Sequence, residues 1–273
     1  MTISPAVLEQ IMASALQSYN MGRFAEAEQA CRQLLAHAPR HPAVHQLLAV
    51  LALNDQRIAA ARQHILQSLN QRPQHGPSLL IAGKIARAEN DLATAAGYFE
   101  AASAAMPGAE AHFHLANTLS AQGRAEEAIA AFRHAAALAP DALEIVLNLG
   151  TALRDNGQLQ AARDAFEKAV ALQPSFAESW FNLGLARQDL HDYEGAADAF
   201  GEALRLRPDY ADAALNLGVA LQEARRMEEA LAAYRVAVGL QPALFGRIAH
   251  AMTAGSTGQL WLSSAHLKRA LQL

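Results

Sequence analysis

Seven prolines set a beat through this chain: Pro39, Pro73, Pro107, Pro140, Pro174, Pro208 and Pro242. Their spacings are 34, 34, 33, 34, 34 and 34 residues. A fixed period of this length is the mark of a stacked repeat architecture, and it constrains the fold more than any other feature. The remaining prolines, Pro5, Pro42 and Pro77, fall where helices should begin, since proline is tolerated in a first helical turn.

With each beat proline set at position 32, three columns stand out. Position 20 is Ala27, Ala61, Ala95, Ala128, Ala162, Ala196 and Ala230. Position 8 is always tiny: Ala15, Ala49, Gly83, Ala116, Gly150, Gly184 and Gly218. Position 24 is apolar or aromatic: Cys31, Ile65, Phe99, Phe132, Phe166, Phe200 and Tyr234. Two small residues let helix backbones approach, and one large side chain fills what remains. Apolar and small residues recur at positions 4, 7, 8 and 11 and again at 17, 20, 24 and 27, which is helical spacing. A short turn, such as Asp155–Asn156–Gly157–Gln158, separates the two runs. Gly22, Gly123 and Gly157 at position 15 suit a left-handed helix end, and Asn90 tolerates it. Gln56, His191 and Arg225 break that pattern, so some of these turns are expected to close differently. Each unit is thus helix–turn–helix, and it buries its apolar face only by stacking on its neighbours.

The period, the LNLG stretch at Leu147–Gly150, alanine at 20, an aromatic at 24 and proline at 32 resemble the tetratricopeptide repeat family. The resemblance covers about residues 8–244. It implies an all-α, right-handed α-solenoid (a superhelix) that runs as a single domain over 1–273. Its seven repeats are 8–41, 42–75, 76–108, 109–142, 143–176, 177–210 and 211–244, followed by a degenerate repeat and cap at 245–273. In the last stretch Ser263 or Ser264 is expected to cap a helix whose Leu260, Leu262, Leu267 and Leu271 pack inward, with Trp261 as packing or as an interface anchor.

Composition narrows the function. Hydrophobic residues make up 52% of the chain, yet no run reaches the roughly 20 apolar residues of a membrane span. The start, MTISPAVLEQ, lacks a basic segment followed by an apolar core, so a cytoplasmic protein is expected. The one cysteine, Cys31, falls at core position 24 and reads as a small buried hydrophobe. Residues 109–273 carry 14 Lys/Arg against 19 Asp/Glu, and no basic stripe offers a surface to nucleic acid or an anionic membrane.

Eleven histidines invite a metal reading, but no Cys-x-x-Cys or His-Glu-x-x-His is present. Glycine-rich phosphate loops and a Gly-x-Ser-x-Gly elbow are missing too. No enzyme, metal or cofactor is expected. The paired acids Glu126/Glu127 and Glu228/Glu229 open second helices and complement their dipoles.

Function is therefore sought on the exposed stripe of each first helix, at positions 2, 6, 9 and 13. In tetratricopeptide repeat proteins this stripe lines the concave groove. Position 6 is Asn148, Asn182 and Asn216 in the last three repeats, each amide able to donate and accept. The three match the asparagine ladder of O-linked N-acetylglucosamine transferase superhelices by position, although asparagine there also serves to tie repeats together. Position 13 is Asp155, Asp189 and Glu223, acids placed against the helix dipole that call for Arg154, Arg187, Arg225 or Arg226 as partners, or for a basic ligand. Position 5 adds Phe113, Leu147 and Phe181, an apolar floor unless a neighbouring helix shields them; Asn117 stands at position 9. Lys or Arg is absent from positions 2, 5 and 6, which argues against the two-carboxylate clamp of chaperone-binding relatives. The expected partner is another protein or peptide, extended and basic or polar, held by a non-catalytic scaffold that is a monomer or weak homodimer. The alternatives are an adaptor recruiting substrates to a separate glycosyltransferase and a self-associating assembly protein.

Overall fold

In a computed structural model the described residues, 5–254 and 264–271, contain helices and turns and no strand. The helices follow one another in pairs. Pro5–Asn20 (α1) pairs with Phe24–His37 (α2), Pro42–Asn54 (α3) with Ile58–Gln71 (α4), Gly76–Ala88 (α5) with Leu92–Ala105 (α6), and Ala109–Ala121 (α7) with Ala125–Leu138 (α8). These belong to a first compact unit, residues 1–139. The second unit, residues 140–273, pairs Leu143–Asp155 (α9) with Leu159–Leu172 (α10), Ala177–Asp189 (α11) with Tyr193–Leu206 (α12), and Ala211–Glu223 (α13) with Met227–Leu240 (α14). A 3-10 turn at Pro242–Leu244 leads into Phe245–Ala254 (α15), and Ser264–Ala270 (α16) ends the unit. Within each unit, every second helix packs on the first helix of the following pair, so both units are α-solenoid.

The three sequence columns account for this packing. All seven position-20 alanines are 0% exposed. The position-24 side chains, from Cys31 to Tyr234, are 2% exposed or less. The ring at position 24 lies over the small residue at position 8 of its own pair. A Cβ built on Gly83, Gly150 or Gly184 would stand 2.5–2.6 Å from Phe99, Phe166 or Phe200 respectively. The bulky residue therefore closes the gap within a helix pair, and the absence of a Cβ is what lets it in.

The turns inside the pairs correct one expectation. Gln56, His191 and Arg225 adopt φ of 56°, 62° and 64°, beside 60° at Asn90 and 73–75° at Gly22, Gly123 and Gly157. All seven close alike. In the turn at Gly157, the amide of Gly157 donates to Arg154 O and that of Gln158 to Leu153 O. At Arg225 the amides of Arg225 and Arg226 donate to Gln222 O and Leu221 O. This paired helix-end pattern satisfies the last carbonyls, and it recurs whatever residue occupies position 15.

Leu267 and Leu271 of the α16 segment are buried, and they join Ile248 and Met252 in the core that continues from Tyr234 and Val238. The Arg235 guanidinium donates to the Ala270 carbonyl at 2.9 and 3.3 Å, holding the end of α16 to α14. Leu260, Trp261, Leu262 and Ser263 lie outside the described residues.

Candidate functional site

In the second unit the first helices of successive pairs are neighbours: α9 meets α11, α11 meets α13, and α13 meets α15. Their outer stripe is the face the sequence marks at positions 2, 6, 9 and 13. Asn148, Asn182 and Asn216 sit half-buried at corresponding places on α9, α11 and α13. Two of the amides are oriented by their own helices. Asn148 Nδ2 donates to Glu144 O and Asn216 Nδ2 to Asp212 O, both at 2.8 Å. One N–H of each amide is thereby engaged one turn back, and the second N–H and the side-chain oxygen remain for a ligand. Asn148 and Asn216 thus keep a donor as well as an acceptor.

An open groove of about 420 Å³ lies along α11, α13 and α15. Gln188, Leu215, Asn216 and Val219 form one part of it, and Gly246, Arg247, His250 and Ala251 form the other. Gln188 Oε1 is buried there without a hydrogen-bond partner. Of the residues singled out from sequence, only Asn216 lines this groove. The others were legible in principle. Gln188 and Val219 are positions 12 and 9, and running the repeat frame past Leu244 puts Gly246 at position 2 and His250 at position 6.

The acids divide. Asp189 pairs with Arg154 at 2.8 Å, from position 12 of one pair to position 13 of the next. Asp212 at position 2 meets Arg247 at 3.3 Å. Glu178, also at position 2, is gripped by Arg207; burial pushes its carboxyl up, but hydrogen bonding and the charge of Arg207 together hold it below the usual range. Arg187 faces Glu167 and Arg226 faces Glu194 and Glu229, away from position 13. Asp155 is exposed and Glu223 half-buried.

The position-5 side chains are largely shielded. Phe181 packs on Phe200 at 5.6 Å and on Tyr210 at 4.8 Å between ring centroids, and Arg207 lies over the Tyr210 ring. Leu147 is half-buried. In the first unit, Phe113 packs on Phe132 at 6.1 Å, and Asn117 is half-buried on the same helix, α7. His114 holds position 6 there in place of asparagine and stacks on Phe99. Burial, with Lys84 and Arg87 nearby, pushes its pKa down to about 4, so it is neutral near pH 7.

Models of the tetratricopeptide repeat match residues 19–80, 109–142 and 183–244, and a TPR-repeat model matches 150–191. The chain belongs to the tetratricopeptide repeat family. Solved structures of similar fold include the C-terminal part of a TPR repeat-containing protein from Cytophaga hutchinsonii. It has a TM-score of 0.73 at 16% identity and covers 85% of this chain and 95% of that one. YrrB, described as a TPR protein with an unusual peptide-binding site, gives 0.62 at 19% identity, covering 68% and 96%. A MamA crystal structure gives 0.58 at 22%, covering 62% and 93%. No curated protein matches this tetratricopeptide repeat chain. At these identities the structures speak for the fold. Among the described residues no helix is long and apolar enough to cross a membrane, and no group of three or more metal-ligating side chains occurs.

Proposed function

We propose that this tetratricopeptide repeat protein, with seven repeats, is a non-catalytic scaffold that holds an extended segment of another protein on the outer stripe of α9, α11, α13 and α15. The observation that carries the reading is the open groove at Asn216, which continues a line of carboxamides on successive first helices. Asn148 and Asn216 each spend one N–H on their own helix and keep the other N–H and the side-chain oxygen. Such amides suit an extended backbone, which brings both donors and acceptors. Exposed Glu144 and Asp155 add negative charge to the same stripe. The basic or polar segment expected from sequence fits this chemistry. YrrB, a relative in fold, carries a peptide-binding site, which supports a peptide as the ligand class. In the first unit Asn117 occupies the matching stripe of α7, with Phe113 beside it, and both are proposed as ligand contacts.

The test is direct binding of a captured partner segment to the wild type, to Gly246→Phe, and to the triple variant Asn148→Ala, Asn182→Ala, Asn216→Ala. Gly246 has nothing within 4 Å of an added Cβ, so a ring there enters the groove without disturbing the core. Loss of binding at least tenfold in both variants, with unchanged thermal unfolding, supports the reading. Full binding by both refutes it.

A further inference from the structure

Histidines join the second helix pair of the first unit to its neighbours. His41 precedes α3, His45 lies on α3, His64 lies on α4, and His75 precedes α5. The second unit has no counterpart among its described side chains, where His191 and His250 are exposed.

The hydrogen bonds fix where the protons are. His45 is 6% exposed, and its Nε2 faces the Pro39 carbonyl at 3.0 Å. A carbonyl only accepts, so Nε2 carries the hydrogen and donates. The Nδ1 of a neutral ring is then bare. It faces His64 Nδ1 at 3.1 Å, so His64 Nδ1 is the donor. One arrangement of protons satisfies the whole chain. With both rings charged, two N–H groups would be set against each other in a buried place. His41 adds a second demand of the same kind. Its Nδ1 accepts the Val44 amide at 3.3 Å, capping α3, and a protonated ring has no lone pair for that bond. A positive charge at a helix N-terminus also opposes the dipole.

We propose that the junction of α2, α3 and α4 is an acid-sensitive joint, closed by the His41 cap and the His45–His64 bond and released in mild acid. The charged groups facing it come from α2 and from the turn before α4. Glu28 alone would favour a charged His64, but Arg32 binds its carboxylate at 2.7 Å and Arg57 at 3.1 Å. Burial, then His45, hold the His64 pKa below its ordinary value, with Arg57 and Arg32 acting in the same direction against Glu28. His75, whose Nδ1 meets Ser78 Oγ at 2.9 Å, is likewise lowered by burial and Arg72. A histidine with a depressed folded pKa is most stabilising above its unfolded value of about 6.5, and that contribution is lost as pH falls below it. Acid therefore loosens the first unit and spares the second, which bears the groove at Asn216.

Hydrogen exchange of the full chain tests this at pH 7.5 and 5.5, with intrinsic exchange rates corrected. Amides of α3 and α4 are expected to lose protection at least tenfold in acid while those of α10 and α12 hold theirs. Two variants report separately. His64→Asn keeps a donor toward His45 and cannot charge, and His41→Asp keeps the cap; each should shrink the acid response. The proposal falls if α3 and α10 lose protection in parallel, if α3 is unaffected by acid, or if both folded variants respond like the wild type.

Discussion

A methyl group on Gly150 would stand 2.6 Å from the ring of Phe166. The two residues face each other across one helix pair, and the ring is 0% exposed. Phe166→Ala should cost about 3–5 kcal/mol in unfolding, as a large buried ring removed from a packed core. Gly150→Ala should cost about 1–3 kcal/mol by overpacking, against a smaller gain in helix propensity. Combining Gly150→Ala with Phe166→Leu should give a loss smaller than the sum of the single losses. Chemical denaturation of the three variants measures this, and additive losses would show that the contact does not couple the two positions.

The turn residues supply a prediction of opposite sign. Gln56 holds φ of 56° without a glycine's freedom. Gln56→Gly should stabilise the first unit by about 1 kcal/mol, the scale of the left-handed penalty for a residue with a Cβ. Gly157→Ala should destabilise the second unit by a similar amount, about 1 kcal/mol. Unfolding midpoints that move the other way would mean that these turns relax out of the left-handed region.

These cases mark how far the sequence could be read. Columns 8, 20 and 24 named the core because packing demands volume at fixed places, and even Cys31 was placed correctly by its column. The turns at Gln56, His191 and Arg225 were misread because residue preference is weaker than the hydrogen bonds that two docked helices impose. Gly22, Gly123 and Gly157 only make the same conformation cheaper. The stripe positions were legible from spacing, but the direction of the Asn148 and Asn216 amides was not. It depends on a carbonyl one turn back competing with solvent and ligand. The groove's far wall, Gly246 to Ala251, was legible by running the repeat frame past Leu244, but the decay of the repeat pattern there drew attention away from it.

Tyr234 and Gln222 fasten that wall. Tyr234 Oη donates to Gln222 Oε1 at 3.1 Å, and Gln222 Nε2 donates to the Ala251 carbonyl at 3.0 Å, linking α14, α13 and α15. Gln222 is 1% exposed, so losing either bond takes a hydrogen bond from a buried amide. Tyr234→Phe should cost about 1–3 kcal/mol, and Gln222→Leu should loosen α15 and weaken binding at the groove. Hydrogen exchange in α15 reads the second effect; unchanged protection there would show that apolar packing through Ile248 and Met252 is sufficient.

The Arg154–Asp189 pair bridges successive first helices at the edge of the stripe, with side chains 28% and 39% exposed. At that exposure a single ion pair contributes about 0–1 kcal/mol, and salt weakens it further. Asp189→Asn should therefore leave unfolding nearly unchanged. It frees the Arg154 guanidinium and lowers the negative charge of the stripe, so a basic ligand should bind more weakly, most clearly at low ionic strength. Binding that is insensitive to both the substitution and salt would separate ligand recognition from charge.

Cys31 offers a reporter for the first unit. It is 0% exposed at position 24, and burial, with a smaller push from Glu28, raises its thiol pKa to about 11. At pH 8 the native thiol is almost wholly protonated and out of reach, so a thiol reagent should modify it only after the α1–α2 pair opens. Modification should then proceed at a rate that denaturant accelerates in step with unfolding of the first unit, while Phe166→Ala in the second unit leaves it unchanged. Rapid labelling of the native chain in buffer would place Cys31 at the surface and break the register that puts it in column 24. Labelling accelerated by Phe166→Ala would instead mean that the two units unfold as one.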